Sequence, residues 1–149
     1  MSNSSVTLII KAELTNIALV GAVVRALCVE FDLDMVVCTE VELAVVEATT
    51  NIIKYGLAHK PHENIQLIVS YHNAQLEIIL QDKGVPMPPE ALINADGSVF
   101  DYDVENIDTW PTSGMGLSLI KAVMTHVNYD ASAEGNSLHL IKHISPTIE

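Results

Sequence analysis

Glu47 and Asn51 stand four residues apart in a segment that is otherwise almost wholly apolar. On a helix that spacing sets a carboxylate and an amide on one face, and burying both costs free energy unless something binds them. A surface pair or a satisfied core network is the plain structural reading. The chemical one is sharper: carboxylate and amide oxygens suit a hard cation such as Mg²⁺ that keeps several of its waters, with the carboxylate serving as a general base. Further on, Asp82-Lys83-Gly84 puts an acid two residues ahead of a glycine that allows close backbone approach to a ligand, although Asp-x-Gly is also an ordinary turn. Gly114-Met115-Gly116-Leu117 then opens an apolar periodic stretch. Its glycines either permit a tight entry into a helix or expose amides at the positive end of the helix dipole, where a phosphate can sit. No GxxxxGK[ST] segment occurs, which excludes a P-loop.

The elements that must position these residues are legible in the hydropathy pattern. Val6 to Ala12 reads as a first strand. Ile17, Val20, Val24, Leu27 and Phe31 form one stripe of a helix from Thr15 to Phe31, with Thr15 as its N-cap. A second helix, Met35 to Tyr55, is apolar nearly all round and therefore mostly buried, with Gly56 as a left-handed C-cap. Alternation at Ile65, Leu67, Val69 and Tyr71 marks a strand, which pairs with Leu76–Leu80 across the turn His72-Asn73-Ala74-Gln75. From Gly84 to Ser113 regularity stops among Pro86, Pro88, Pro89, Gly97 and Pro111, apart from a short helix beginning at Pro89; a stretch of this kind reads as a lid over 85–113. A third helix runs from Leu117 to about Val127, and strands near Tyr129–Ala133 and Leu138–Ile144 are joined by the turn Glu134-Gly135-Asn136-Ser137. The order favours one domain over 1–149: an α/β two-layer sandwich with a mixed, largely antiparallel sheet and helices on one face.

Composition narrows the partners. In 149 residues, 7 Lys+Arg face 19 Asp+Glu, a net charge of −12. A surface this acidic repels phosphate backbones, so direct contact with nucleic acid or an anionic membrane is not expected. Any phosphate ligand must be held locally by backbone amides, a helix dipole or a metal ion. Hydrophobic residues make up 49%, enough to offset chain entropy by burial. Cys28 and Cys38 form neither a CxxC pair nor a disulfide framework, and the polar Met1-Ser2-Asn3-Ser4-Ser5 start lacks the features of a signal peptide. A soluble protein in the reducing cytoplasm is the expectation.

Taken in order, an acid-to-amide helix, a strand ending in Asp-x-Gly, an irregular loop and a Gly-x-Gly helix resemble the GHKL (Bergerat-fold, histidine-kinase-like) ATPases, and within them the anti-sigma factor serine/threonine kinases of bacteria. The carrying segments are Glu42–Gly56, Asp82-Lys83-Gly84-Val85-Pro86 and Ser113–Ile120, and the likeness extends to the last hairpin at Gly135-Asn136-Ser137-Leu138. It implies ATP and Mg²⁺ as cofactors, Glu47 as the general base toward a serine hydroxyl, Asn51 as the Mg²⁺ ligand and Asp82 as the acceptor of the adenine amino group. By the same resemblance Gly84 admits the base close to the chain, and Gly114, Met115, Gly116 and Leu117 form the phosphate-binding turn. The implied reaction is γ-phosphoryl transfer to an anti-sigma factor antagonist by a protein that also holds a sigma factor or other regulator. A homodimer is compatible with it, the first strand and the first helix offering a surface for a second subunit or for the sigma factor.

The departures are specific. No Lys or Arg occurs between Lys83 and Lys121, while Glu90, Asp96, Asp101, Asp103, Glu105 and Asp108 crowd the loop. Lys54, one turn beyond Asn51, is either a phosphate contact or a solvated lysine near a helix C-terminus. Pro86, Met87 and Pro88 replace the residues usual on the adenine side. The rival reading is a partner-switching module that binds nucleotide without phosphotransfer, and a relay domain in another signalling cascade is a second. His59-x-x-His62 and the scattered His72, His126, His139 and His143 lack a zinc spacing. Tyr102 and Trp110 sit in the loop as either lid anchors or partner contacts, local packing being the commoner role of such an aromatic.

Overall fold

A computed structural model describes residues 4–58, 60–95 and 116–145. The elements run β1 (Ser4–Lys11), α1 (Asn16–Glu30), α2 (Met35–Asn51) continued by a π-helical turn (Ile52–Gly56), β2 (Asn64–His72), β3 (Gln75–Asp82), α3 (Pro89–Asn94), α4 (Gly116–Val123), β4 (His126–Ser132) and β5 (Gly135–His143).

The five strands form one sheet in the order β1-β2-β3-β5-β4. Among the described residues every pairing is antiparallel, the limiting case of the mixed, largely antiparallel sheet that the sequence suggested. β2–β3 and β4–β5 close as hairpins, α1 and α2 connect β1 to its neighbour β2, and β3 and β5 meet antiparallel. The register sets Leu67 opposite Leu80 and Leu80 opposite Leu138, which puts Ile65, Leu67, Val69, Leu76, Ile78, Leu80, Leu138 and Leu140 on one face. That face packs on Val20, Val24 and Cys28 of α1, on Cys38, Val41, Ala44, Val45 and Ala48 of α2 and on Ile120 of α4. Two layers share one core, as the alternating strands and the nearly all-apolar α2 require.

Several boundaries differ from the sequence reading for physical reasons. Thr15 is not a side-chain cap: its backbone is already helical and its hydroxyl caps nothing, while the Asn16 side-chain amide donates to Lys11 O at 3.0 Å. The cap that does form is Asp34 on α2, whose Oδ1 accepts from Val37 N at 2.9 Å. Gly56 is not left-handed; α2 instead widens into the π turn, closed by Leu57 N donating to Ile52 O at 2.7 Å. The hairpin turn after β2 is as expected, with Asn73 and Ala74 both at positive φ.

α4 stops at Val123, and Val127 belongs to β4 rather than to the helix. Pairing outcompetes the helix there: Thr125 N donates to Ile141 O at 2.8 Å and Thr125 Oγ1 accepts from His143 N at 2.9 Å. The last turn is tighter than Glu134–Ser137, because Gly135 already pairs with Ser132 and Asn136 is a strand residue. Gly135 needs its glycine. Its φ is +137°, and a Cβ would lie 2.9 Å from Asp82 O.

Candidate functional site

α2, the end of β3, the start of α4 and the segment from Val85 to Ala91 surround a pocket of about 400 Å³. That is the size of a small-ligand site. Ile52, Met87, Leu117 and Leu138 contribute apolar wall, and Asn51, Asp82 and Gly116 bring polar groups to it.

Glu47 and Asn51 lie on one face of α2, and α4 begins directly against them. A Cβ on Gly116 would stand 2.6 Å from Glu47 Oε2 and 3.6 Å from Asn51 Nδ2. The glycine leaves Glu47 Oε2, the end of a flexible side chain, in place beside the first turn of α4, while Asn51 lies at ordinary contact distance. Amides in the first turn of a helix lack intrahelical acceptors, so this end of α4 offers N–H donors beside the carboxylate. Burial pushes the Glu47 carboxyl above its ordinary value, opposed by the charge of Lys54. Lys54 itself is exposed, on the turn just beyond Asn51.

Asp82 ends β3 and is 7% exposed. One of its oxygens is committed: Oδ1 accepts from Gly84 N at 2.8 Å and from Asn136 Nδ2 at 3.1 Å. Asn136 also donates to Gly84 O at 3.0 Å, so a single buried amide fastens both the acid and the turn that follows it. The register explains the meeting, since Asp82 and Asn136 are opposite one another in β3 and β5.

Gly84 is demanded by backbone packing. A Cβ there would sit 2.2 Å from Gly56 O, where Val85 N donates to the same carbonyl at 2.8 Å. The π turn that ends α2 is thus clamped to the Asp-x-Gly turn. Beyond it, Met87 N donates to the Tyr129 hydroxyl at 2.9 Å, which ties the Pro86–Pro88 wall to β4. Burial raises the Tyr129 pKa, the Met87 bond lowers it, and the Asp82 charge raises it.

Glu47, Asn51, Asp82, Gly84, Gly116 and Leu117 are accordingly brought to one region by the fold, with Lys54 at its rim. Gly114 and Met115 lie outside the described residues, as do 96–113 of the expected lid and the Tyr102, Trp110 and His59 positions. Asn136 and Tyr129 escaped the sequence reading. Asn136 looked like a turn residue after a glycine, and Tyr129 like an ordinary strand aromatic; only the register places them at Asp82 and Met87.

The donors suit Mg²⁺ in one particular way. Glu47 and Asn51 supply hard oxygens, yet no cluster of three or more His, Cys, Asp or Glu able to hold a metal occurs among the described residues. An ion here would be bound by one or two protein groups and complete its shell with ligand oxygens and water.

The sequence profile of the histidine kinase-like ATPase domain matches residues 10–142. The chain belongs to the histidine kinase-like ATPase family. Among relatives of this member of the family is the anti-sigma F factor of Bacillus licheniformis, 30% identical over 123 residues, which span 82% of this chain and 80% of the relative. The serine-protein kinase RsbW of Staphylococcus aureus is 32% identical over 108 residues, covering 70% of this chain and 65% of that protein. In fold, this histidine kinase-like ATPase chain matches a solved structure of the RsbU and RsbW domains of Rv1364c from Mycobacterium tuberculosis, with a TM-score of 0.66 at 14% identity. That match covers 97% of this chain and 33% of the longer one, so the chain spans about a third of it. No helix among the described residues is long and apolar enough to cross a membrane.

Proposed function

We propose that the chain is an anti-sigma factor with serine/threonine kinase activity, which binds Mg-ATP in the pocket and phosphorylates an anti-sigma factor antagonist. The observation that carries the reading is the close approach of Gly116 to Glu47 and Asn51 beside a pocket that Asn51, Gly116 and Asp82 line, Asp82 with one oxygen already tied.

In this reading each residue has one task. Asp82 uses its remaining oxygen to accept the adenine amino group. The first turn of α4, which begins with Gly116 and Leu117, holds phosphate oxygens on its amides, and Gly114 and Met115 are proposed as further phosphate contacts. Asn51 is the residue that would hold Mg²⁺, whose charge neutralises the phosphates when bound. Lys54 adds a cation at the rim. Glu47 accepts the hydroxyl proton of an incoming serine, and its upward-shifted pKa brings its basicity closer to that task. With so little covalent chemistry required of the protein, positioning and charge stabilisation supply most of the rate.

The kinase name of one relative and the anti-sigma name of another favour this over a module that only binds nucleotide. The sigma factor, or a second copy in a homodimer, is proposed to use the exposed apolar side chains Ile9, Leu14 and Leu19 of β1 and α1 and the turn between them. The buried free thiols Cys28 and Cys38 suit a reducing cytoplasm.

The test is incubation with Mg-ATP and candidate antagonist proteins, following labelled phosphate. The parent transfers phosphate, and Glu47→Gln binds ATP equally while transfer falls about 10²- to 10⁴-fold. Transfer by E47Q at the parental rate refutes the general base. Absence of Mg-dependent ATP binding at millimolar nucleotide refutes the nucleotide reading as a whole.

A further inference from the structure

α3 is only six residues long, and its outer end leaves carbonyls that the helix cannot satisfy by itself. Within the segment, Ala91 N donates to Pro88 O at 3.0 Å and Ala95 N to Ala91 O at 3.2 Å. The carbonyls of Leu92 and Ala95 are taken by a side chain from another helix. Lys121 Nζ on α4 donates to Leu92 O at 3.1 Å and to Ala95 O at 2.6 Å. An ammonium at a helix C-terminus both fills open acceptors and complements the negative end of the dipole.

The tie joins two walls of one pocket. Pro88 and Ala91 line it from the α3 side; Gly116 and Leu117 line it from α4, the helix that carries Lys121 five residues later. Ala95 is buried at 8% exposure where the chain leaves α3, so the contact fixes the root of the segment and not a loose tip. The stretch from Gly84 to Ile120 contains no lysine or arginine of its own. The cation that holds α3 therefore comes from α4.

We infer that Lys121 is a positioning residue for the nucleotide: it fastens α3 to α4 so that the wall of the pocket stands in place before ATP arrives. The inference rests on the nucleotide reading of the pocket. Glu47 and Asn51 lie on α2 and do not depend on α3, so the loss of Lys121 weakens nucleotide binding more than the chemical step.

The experiment compares the parent with Lys121→Met, Lys121→Gln and Lys121→Arg in full-length protein. Three quantities are read: Mg-ATP affinity, kcat and KM for ATP, and amide hydrogen exchange over 91–95 without nucleotide. Faster exchange at 91–95 and a rise of about tenfold in Kd and KM are expected for K121M and K121Q, with kcat within about threefold of the parent; a tenfold change corresponds to about 1.4 kcal/mol. K121R keeps two N–H donors and stays within about threefold in Kd. Parental affinity in both K121M and K121Q, or exchange at 91–95 unchanged in both, overturns the inference. A fall in kcat with KM unchanged overturns it too. If the parent itself binds no Mg-ATP, the nucleotide reading has failed, an outcome distinct from a parent that binds while its Lys121 variants bind equally well.

Discussion

Replacing Asn136 by alanine removes two hydrogen bonds from a side chain that is 3% exposed. The bond to the Asp82 carboxylate belongs to the charged class, about 1.5–3 kcal/mol, and the bond to the Gly84 carbonyl to the neutral class, about 0.5–1.5 kcal/mol. The expected loss of folding stability is therefore about 2–4 kcal/mol, read as a fall in the urea midpoint at unchanged slope. Asn136→Asp is the sharper perturbation. It keeps the shape and sets a second carboxylate at about 3 Å from Asp82 Oδ1, where both cannot ionise readily. Like-charge repulsion at that distance raises the folded-state pKa of the introduced carboxyl above the unfolded aspartate value of about 3.9. A raised folded pKa contributes stability that is present below the unfolded value and lost as pH rises through the folded one. The deficit of N136D relative to N136A should thus grow between about pH 4 and pH 7. An N136A midpoint within about 0.5 kcal/mol of the parent, or an N136D deficit that does not widen with pH, would refute the reasoning that this amide holds the Asp-x-Gly turn.

Four further outcomes follow from the structure. Because burial raises the Glu47 pKa and Lys54 opposes it, the acid limb of the kcat/KM–pH profile, which reports the free enzyme, lies above the ordinary 4.5, and Lys54→Met moves it higher still; a limb unmoved by that change counts against the pairing. The sign for stability is the converse of a salt-bridged carboxylate: the Glu47 contribution is present below about 4.5 and lost as pH rises through its raised value, so E47Q gains on the parent in melting temperature toward neutral pH. Gly116→Ala puts a Cβ 2.6 Å from the flexible end of Glu47, which moves aside at little cost, so thermal melts should change little while phosphotransfer drops about tenfold to 10²-fold. Thr49 is fully buried and its hydroxyl has no hydrogen-bond partner among the described residues, so Thr49→Val should raise the melting temperature by about 2–4 °C, corresponding to about 1 kcal/mol.

The sequence by itself determined the elements and the layers. Strict alternation in β2 and β3 and an α2 apolar nearly all round admit few arrangements other than a sheet with one helical face, because each apolar face must be buried against another. It also placed Glu47 with Asn51, since a spacing of four on a helix is a local geometric fact. What local pattern could not contain is the set of approaches between distant segments: Gly84 against the Gly56 carbonyl, Gly116 against Glu47, Asn136 across the sheet from Asp82, and Lys121 under α3. The same limit produced the errors at Gly56 and Val127, where a helical pattern yields to a π turn and to strand pairing. Backbone carbonyls must find donors wherever the chain happens to bring them. Which donor serves which carbonyl is decided by strand register and helix packing, and those exist only once the tertiary structure has formed.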